Sequence, residues 1–452
     1  MNKNSELNHG RRDFLRRLGF GAGTAVAMTI MDPLQVFAQE QHSSSDTPNR
    51  MTYRVQHGSG EQISLLGFGM MRLPRSQDEV NELVDYAINH GVNYFDTAPM
   101  YMGGLSEVLT GEALSRHPRE KYYVATKMSN QNRRLWSFSE SKRLYEQSFE
   151  RLKVDKIDYY LLHSIGGGGM DTLRGRFLDN GVLDFLMKER EAGRIRHLGF
   201  SYHGDVRDFD YLLDLQDEYN WDFVQIQMNF LDWRHASLRG GRRADADAEY
   251  LYEKCEKTGV QCVVMEPLRG GAFGRMAPEL ANQLKAVRPD DSTARWAFRW
   301  VGSHTNILTT LSGMNLMEHL EDNIKTFSPL DPCTEQENQL LADIADQMSG
   351  YPTIPCTACE YCMPCPFGVD IPGNFAYYNE AVNSHLLPLP DIKAADFDTR
   401  KQRFIDGYKK ALPDNGKWAS QCQDCEVCLS KCPQQIRIPN QMARIVETLR
   451  KK

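Results

Sequence analysis

A chain of 452 residues exceeds one ordinary domain, and with 41% hydrophobic residues it can bury more than one core. Its 53 Lys and Arg against 60 Asp and Glu leave a net charge of -7 with no long basic run beyond the N-terminus, which argues against nucleic acid as a partner. No apolar run after residue 40 approaches the length of a membrane span, and eight of the eleven cysteines fall in two short runs, 356–365 and 422–432, unlike a general disulfide framework.

In chain order, the first feature is Arg-Arg-Asp-Phe-Leu-Arg-Arg at 11–17, followed by an apolar stretch from Leu18 to Met31 and then Val36-Phe37-Ala38. A charged region, a short hydrophobic region and a small-residue cleavage site follow one another, with Ala38 as the last residue removed. The paired Arg11-Arg12 with Phe14-Leu15 resembles the twin-arginine (Tat) export signal, with Gly10 where Ser or Thr usually stands. The resemblance implies a signal peptide over 1–38, passage of the folded protein through the Tat translocase to the periplasm, and insertion of cofactors in the cytoplasm before export. Residues 39–52, with three consecutive serines, are expected to be a disordered linker.

Short apolar runs then alternate with helical periodicity. The strand candidates are Ile63 to Phe68, Tyr94 to Asp96, Tyr122 to Lys127, Tyr159 to His163, His197 to Ser201, Phe223 to Met228, Gln261 to Glu266 and Ile307 to Leu311. Nearly continuous apolar strands separated by helices predict parallel strands buried on both faces. Between the first two, Ser76 with Glu79 forms a capping-box pattern, Val80, Leu83, Val84, Ala87 and Ile88 make the apolar stripe, and Gly91 marks the stop. Eight such units, with no early G-x-G-x-x-G after a strand, predict an α/β fold of the (β/α)8 TIM barrel type rather than an open sheet.

In such a barrel the chemistry sits at the C-terminal strand ends, where Asp96, Lys127 and His163 fall, with Tyr101 in the loop after Asp96. The segments Phe95-Asp-Thr-Ala-Pro-Met-Tyr101, Ala125-Thr-Lys127 and Leu161-Leu-His163 resemble the aldo/keto reductase family, over residues 53–330. The resemblance implies a catalytic tetrad of Asp96, Tyr101, Lys127 and His163. Tyr101 would give the proton as hydride reaches carbon, its phenol pKa lowered by Lys127; Asp96 would orient the lysine, and His163 the carbonyl. Nucleotide-binding positions carry over to Met70, Met71, Ser201, Gln225, Leu268, Gly313 and Asn323. The usual stacking aromatic is replaced by Met265, and the Lys and Arg that clamp a 2'-phosphate by Gly313 and His319, so NAD and NADP both stay open. Gly166 to Gly169, directly after His163, read as a flexible loop or as a lid hinge, and Cys255 and Cys262 as core residues.

Beyond Asp331 the pattern changes. The first cysteine run is C-x2-C-x2-C-x2-C-P at Cys356, Cys359, Cys362 and Cys365; the second is C-x2-C-x2-C-x3-C-P at Cys422, Cys425, Cys428 and Cys432. The second matches the bacterial ferredoxin run for a [4Fe-4S] cluster, in which the fourth cysteine ligates the other cluster of a pair; the first run is one residue shorter before its last cysteine. Structural zinc usually joins two well-separated cysteine pairs, which leaves it the lesser alternative. Residues 331–452 are therefore expected to form a mostly helical ferredoxin-type domain with two [4Fe-4S] clusters, the assignment of thiols to clusters left open. The tails Gly-Val-Asp-Ile-Pro372 and Gln-Ile-Arg-Ile-Pro439 suggest an internal duplication. The expected function is interconversion of a carbonyl and an alcohol, a sugar among the candidates. The clusters either pass electrons to a redox partner protein or hold structure. The second reading is an electron-transfer or ligand-binding protein whose barrel does not turn over nicotinamide.

Overall fold

The computed structural model describes residues 51–236, 246–388 and 396–450; the expected signal peptide lies outside them. A two-stranded antiparallel hairpin, β1 (Tyr53–Val55) and β2 (Gln62–Ser64), precedes a closed barrel. The barrel strands are β3 (Leu66–Gly69), β4 (Tyr94–Asp96), β5 (Tyr123–Met128), β6 (Ile157–Ile165), β7 (Ile195–Tyr202), β8 (Phe223–Gln227), β9 (Gln261–Met265) and β10 (Ile307–Ser312). Every neighbouring pair is parallel, and β10 closes the ring between β9 and β3.

The first strand candidate differs from its observed form. The run Ile63 to Phe68 is two strands, because the chain turns at Leu65, whose N–H bonds the Thr52 carbonyl at 2.8 Å. An uninterrupted apolar run carries no mark of such a change of partner. Since β2 leads straight into β3, the hairpin lies at the N-terminal end of the barrel. There Ile63 joins the barrel interior with Tyr94, Tyr159, Leu161, Phe223, Val263 and Leu308. The large rings interlock edge to face, Tyr94 with Tyr159 at 4.9 Å and Tyr159 with Phe223 at 5.1 Å, so the lumen is filled and the chemistry is left to its rim.

The helix Gln77–Asn89 begins where its sequence signals place it: Ser76 Oγ accepts from the Glu79 N–H, Val80, Leu83, Val84 and Ala87 are buried, and Gly91 follows at φ 90°. A second core begins at Ile354 and is built by the helices Ile371–Asn383, Phe397–Ala411 and Ile438–Leu449. The helix Glu335–Ser349 instead contributes Leu341, Ile344 and Ala345 to the barrel's core. The two cores therefore divide after that helix, later than the expected boundary at 330. The helix is tied down by Glu337, which caps its N-terminus through Thr334 and receives Arg299 at 2.9 Å and Arg288.

Candidate functional site

Asp96 ends β4, and Lys127 and His163 lie near the ends of β5 and β6, so parallel pairing brings all three to one rim. Lys127 Nζ donates to Asp96 Oδ1 at 2.6 Å and to the Thr97 carbonyl at 2.8 Å, with side chains 1% and 3% exposed. Burial lowers the lysine pKa and raises that of the aspartate, each opposed by the other's charge. Asp96 Oδ2 is buried without a partner. Tyr101 opens a turn whose next three residues, Met102, Gly103 and Gly104, all have positive φ; this tight left-handed path returns its ring to the rim. The ring stands over Lys127 Nζ, 5.0 Å from its centroid, and meets His163 edge to face at 5.9 Å.

The expected lowering of the Tyr101 phenol is not found. Burial first, then Tyr361 and Asp96, push it well above the ordinary tyrosine value, while Arg72 is the cation that works to lower it. His163 is held well below its usual value by burial, then by the positive charges of Lys127 and Arg176, so its imidazole is neutral. Its Nδ1 shares a hydrogen bond with Ser129 Oγ at 2.7 Å. Arg176 donates to the backbone carbonyls of His163 and Ser164 at 2.6 and 3.1 Å, clamping the strand end. The glycine run beside it is also pinned: Asp205 N–H bonds the Gly166 carbonyl, and a Cβ on Gly166 would lie 2.8 Å from His203 and Asp205 backbone atoms. That is a tight crossing rather than a hinge.

The nucleotide positions are distributed unevenly. Gln225 Oε1 is buried with no hydrogen-bond partner, an acceptor suited to the amide N–H of a nicotinamide carboxamide. Ser201 Oγ accepts from the Ser164 N–H at 2.8 Å and keeps its own proton to donate. Asn323 bonds Ser312 at 3.0 Å, and Leu268 packs against the barrel core. Met70 is fully buried in that core and its carbonyl is taken by Ser106, which leaves Met71 nearer the surface. At Gly313, where no cation was expected, Arg72 arrives from the β3 loop: its Nη1 lies 3.8 Å from where a Gly313 Cβ would stand.

The eight thiols sort into two cavities, with the last cysteine of the second run placed where its ferredoxin-type spacing leads one to expect it. Cys356, Cys359, Cys362 and Cys432 line one. Cys365, Cys422, Cys425 and Cys428 line the other, and Cys362 is shared by both. The same sets couple electrostatically, Cys362 with Cys356, Cys359 and Cys432, and Cys428 with Cys422, Cys425 and Cys365. The last cysteine of each run thus joins the other run's set, the crossing that ferredoxin-type runs use. Among the described residues no three His, Cys, Asp or Glu converge as ligands of a single metal ion. The thiols instead surround apolar space floored by Ile371 and Ile438, which open the two matching Ile-Pro helices. Both runs carry positive φ at equivalent places, Ala358 and Glu360 in one, Asp424 and Glu426 in the other. Such turns aim amide N–H groups inward, and Ala358 N–H already reaches Cys356 Sγ at 3.4 Å. These features fit a cubane in each cavity, whose iron would also offset the burial that holds the Cys356 and Cys432 thiols at about 11.

Arg72, Ser129, Arg176, Glu266, Thr357 and Tyr361 are site residues that sequence reasoning missed. Arg72 donates to the Thr357 carbonyl at 2.6 Å and approaches Glu266 at 3.9 Å, joining the barrel rim to the first cysteine run. No local pattern marks them, because each acts across a fold-level contact.

A closed parallel barrel with a buried Lys–Asp pair under a tyrosine at its C-terminal rim defines an oxidoreductase that acts on carbonyl and alcohol groups. Residues 65–346 match the aldo/keto reductase family, to which the chain belongs, and residues 355–437 match the 4Fe-4S dicluster domain. The chain is 26% identical over 304 residues to L-galactose dehydrogenase of Arabidopsis thaliana, covering 62% of this chain and 90% of the relative. It is 26% identical over 353 residues to Protein tas of Escherichia coli, covering 66% and 99%. Among solved structures, the holo form of an aldo-keto reductase from Bacillus halodurans superposes with TM-score 0.53 at 24% identity, covering 65% of this chain and 96% of that one.

Proposed function

We propose that this aldo/keto reductase is exported and interconverts a small carbonyl compound and its alcohol with a nicotinamide cofactor, NAD or NADP, while carrying two [4Fe-4S] clusters. The nicotinamide, when bound, supplies or accepts the hydride. Tyr101 holds the proton that the developing alkoxide takes, and its raised phenol pKa keeps that proton in place until the oxygen becomes basic enough to remove it. Lys127, anchored by Asp96, sets a positive field beneath the ring, and the neutral His163 orients the carbonyl oxygen. The observation that carries this reading is the buried 2.6 Å Lys127–Asp96 contact under Tyr101, together with the unpartnered Gln225 oxygen on β8, across the barrel from it.

The relative named L-galactose dehydrogenase supports a sugar as the substrate class. The Arg11-Arg12 signal supports export by the twin-arginine route to the periplasm from a cytoplasm where clusters are assembled. Electrons leaving through the clusters would need a redox partner protein. Two measurements test the proposal. Tyr101→Phe is expected to lower aldehyde or aldose reduction by at least about a hundredfold, as the loss of a general acid does; unchanged turnover would leave the electron-transfer reading. Nucleotide released from protein recovered after export is expected to be NAD or NADP, and its identity decides between the two.

A further inference from the structure

Lys127 and Ser129 stand two residues apart at the end of β5, the period that puts side chains on one face of a strand. Lys127 meets Asp96, while Ser129 Oγ shares its 2.7 Å hydrogen bond with Nδ1 of His163; the serine and the histidine are 6% and 3% exposed. Among the described residues the serine hydroxyl has no other hydrogen-bond partner, and the second ring nitrogen, Nε2, has none. Two proton arrangements of a neutral ring satisfy that contact. Either Ser129 donates to Nδ1 and Nε2 carries the ring proton, or Nδ1 donates to Ser129 and Nε2 is bare. The second leaves the serine proton with no acceptor in a buried place, the costly kind of unmet polar group. The first satisfies it and leaves Nε2–H to the barrel mouth. The charged groups that bear on the ring, Lys127, Arg176 and His203, are all basic, which works against a ring protonated on both nitrogens.

We propose that Ser129 is a positioning residue of the reductase site, whose hydroxyl donates to Nδ1 of His163 and so fixes the tautomer that offers Nε2–H to the substrate oxygen. This rests on the reading of His163 as the group that orients the carbonyl. A carbonyl oxygen can only accept, so it is drawn to Nε2–H and repelled by the lone pair of a bare Nε2. A ring free to exchange tautomers would present the donor only part of the time. The other contacts of His163 locate the ring without addressing its proton. Arg176 holds its backbone carbonyl at 2.6 Å, and Tyr101 meets the ring edge to face at 5.9 Å. Arg176 also donates through Nε to Asn130 Oδ1 at 3.1 Å, so the residue next to Ser129 is tied to the same clamp. Negative charge gathers on the carbonyl oxygen as hydride arrives, so the Nε2–H bond strengthens toward the transition state and its loss falls on kcat more than on KM.

The test combines nitrogen NMR of isotope-labelled histidine with kinetics, both on the full, cluster-loaded protein. The His163 signals, assigned by their loss in His163→Gln, are expected to show a bare Nδ1 and a protonated Nε2. Ser129→Ala is expected to populate both tautomers and to lower kcat about tenfold, the scale of one hydrogen bond, with KM and nucleotide Kd within about twofold and iron content unchanged. Ser129→Thr keeps the hydroxyl and is expected to recover most of that loss. In the His163→Gln background Ser129→Ala is expected to cost nothing further, because Ser129 acts only through the ring. A protonated Nδ1 in the parent protein overturns the proposal. So does an unchanged kcat in Ser129→Ala, or an equal loss in both backgrounds. Full turnover in His163→Gln would instead remove the reading on which it rests, while the tautomer is still read directly in the parent, so the two failures are separable.

Discussion

Lys127 and Asp96 each face the wrong dielectric for a charge, and each is kept ionised by the other across 2.6 Å. Removing one partner leaves an uncompensated buried charge, so Asp96→Asn is expected to cost about 3–5 kcal/mol of stability as well as activity; a thermal midpoint unchanged from the parent would contradict the pairing. The pH dependence of reduction follows from two shifts with known sign. Tyr101 is active protonated and its phenol is raised, so reduction should show no alkaline limb below about pH 10, the ordinary tyrosine value. His163 is active neutral and its imidazole is depressed, so no acid limb is expected near about pH 6.5. A limb at either place in kcat/KM would overturn the corresponding protonation state. The placing of Asp96, Lys127 and His163 on one rim was legible in the sequence because strand ends are local. The direction of the Tyr101 shift was not, because it depends on what buries the ring.

At the scale of elements, one contact fastens the helix Glu335–Ser349 to the barrel and a second seats the first cysteine run against it. Glu337 caps its own helix while binding Arg299 of the helix Thr293–Gly302. Burial works to raise its carboxyl, yet hydrogen bonds from Arg299 and Arg288 overcome this and hold it at about 2. The folded value lies below the unfolded one, so the stabilisation is complete above about pH 4.3 and is lost as pH falls toward the folded value. Glu337→Gln should lower the thermal midpoint at pH 7, and that difference should vanish in strong acid; a difference independent of pH would exclude the charge as its origin. Gly270 is the second contact, with φ 65° and no room for a side chain beneath Thr357. Gly270→Ala is expected to cost about 1–3 kcal/mol from the backbone alone and to reduce turnover by displacing the first cysteine run. A variant with parent stability and parent kcat would show that the run does not depend on this contact. A Thr-x-x-Glu cap can be read along the chain, whereas the partner of a glycine cannot.

For the whole molecule, the fold brings the last thiol of each run into the other run's cavity, as the second run's spacing implies and the first run's left open. Cys432 lies in the second run yet lines the cavity of Cys356, Cys359 and Cys362, the set whose loop Arg72 and Gly270 hold against the barrel rim through Thr357. Cys432→Ala is therefore expected to behave like Cys359→Ala, lowering iron from about eight to about four per chain for two cubanes and impairing reduction. Cys365→Ala should remove a similar amount of iron while sparing reduction more. Iron and sulfide analysis beside steady-state rates checks this, and equal impairment by Cys432→Ala and Cys365→Ala would defeat it.

The sequence by itself determined the barrel, because buried parallel strands must be nearly continuous apolar runs between amphipathic helices. It also determined the chemical types at the rim and the eight-thiol complement, because ligand spacing and strand-end residues are properties of short segments. Only the tertiary structure decided that the chain turns at Leu65, that the helix Glu335–Ser349 belongs to the barrel, that Arg72 stands beside Gly313, and that Thr357 packs on Gly270. Each is a contact between residues distant in sequence or a change of partner within one apolar run. Such contacts are set by which surfaces close on one another, and that information is spread over the whole fold.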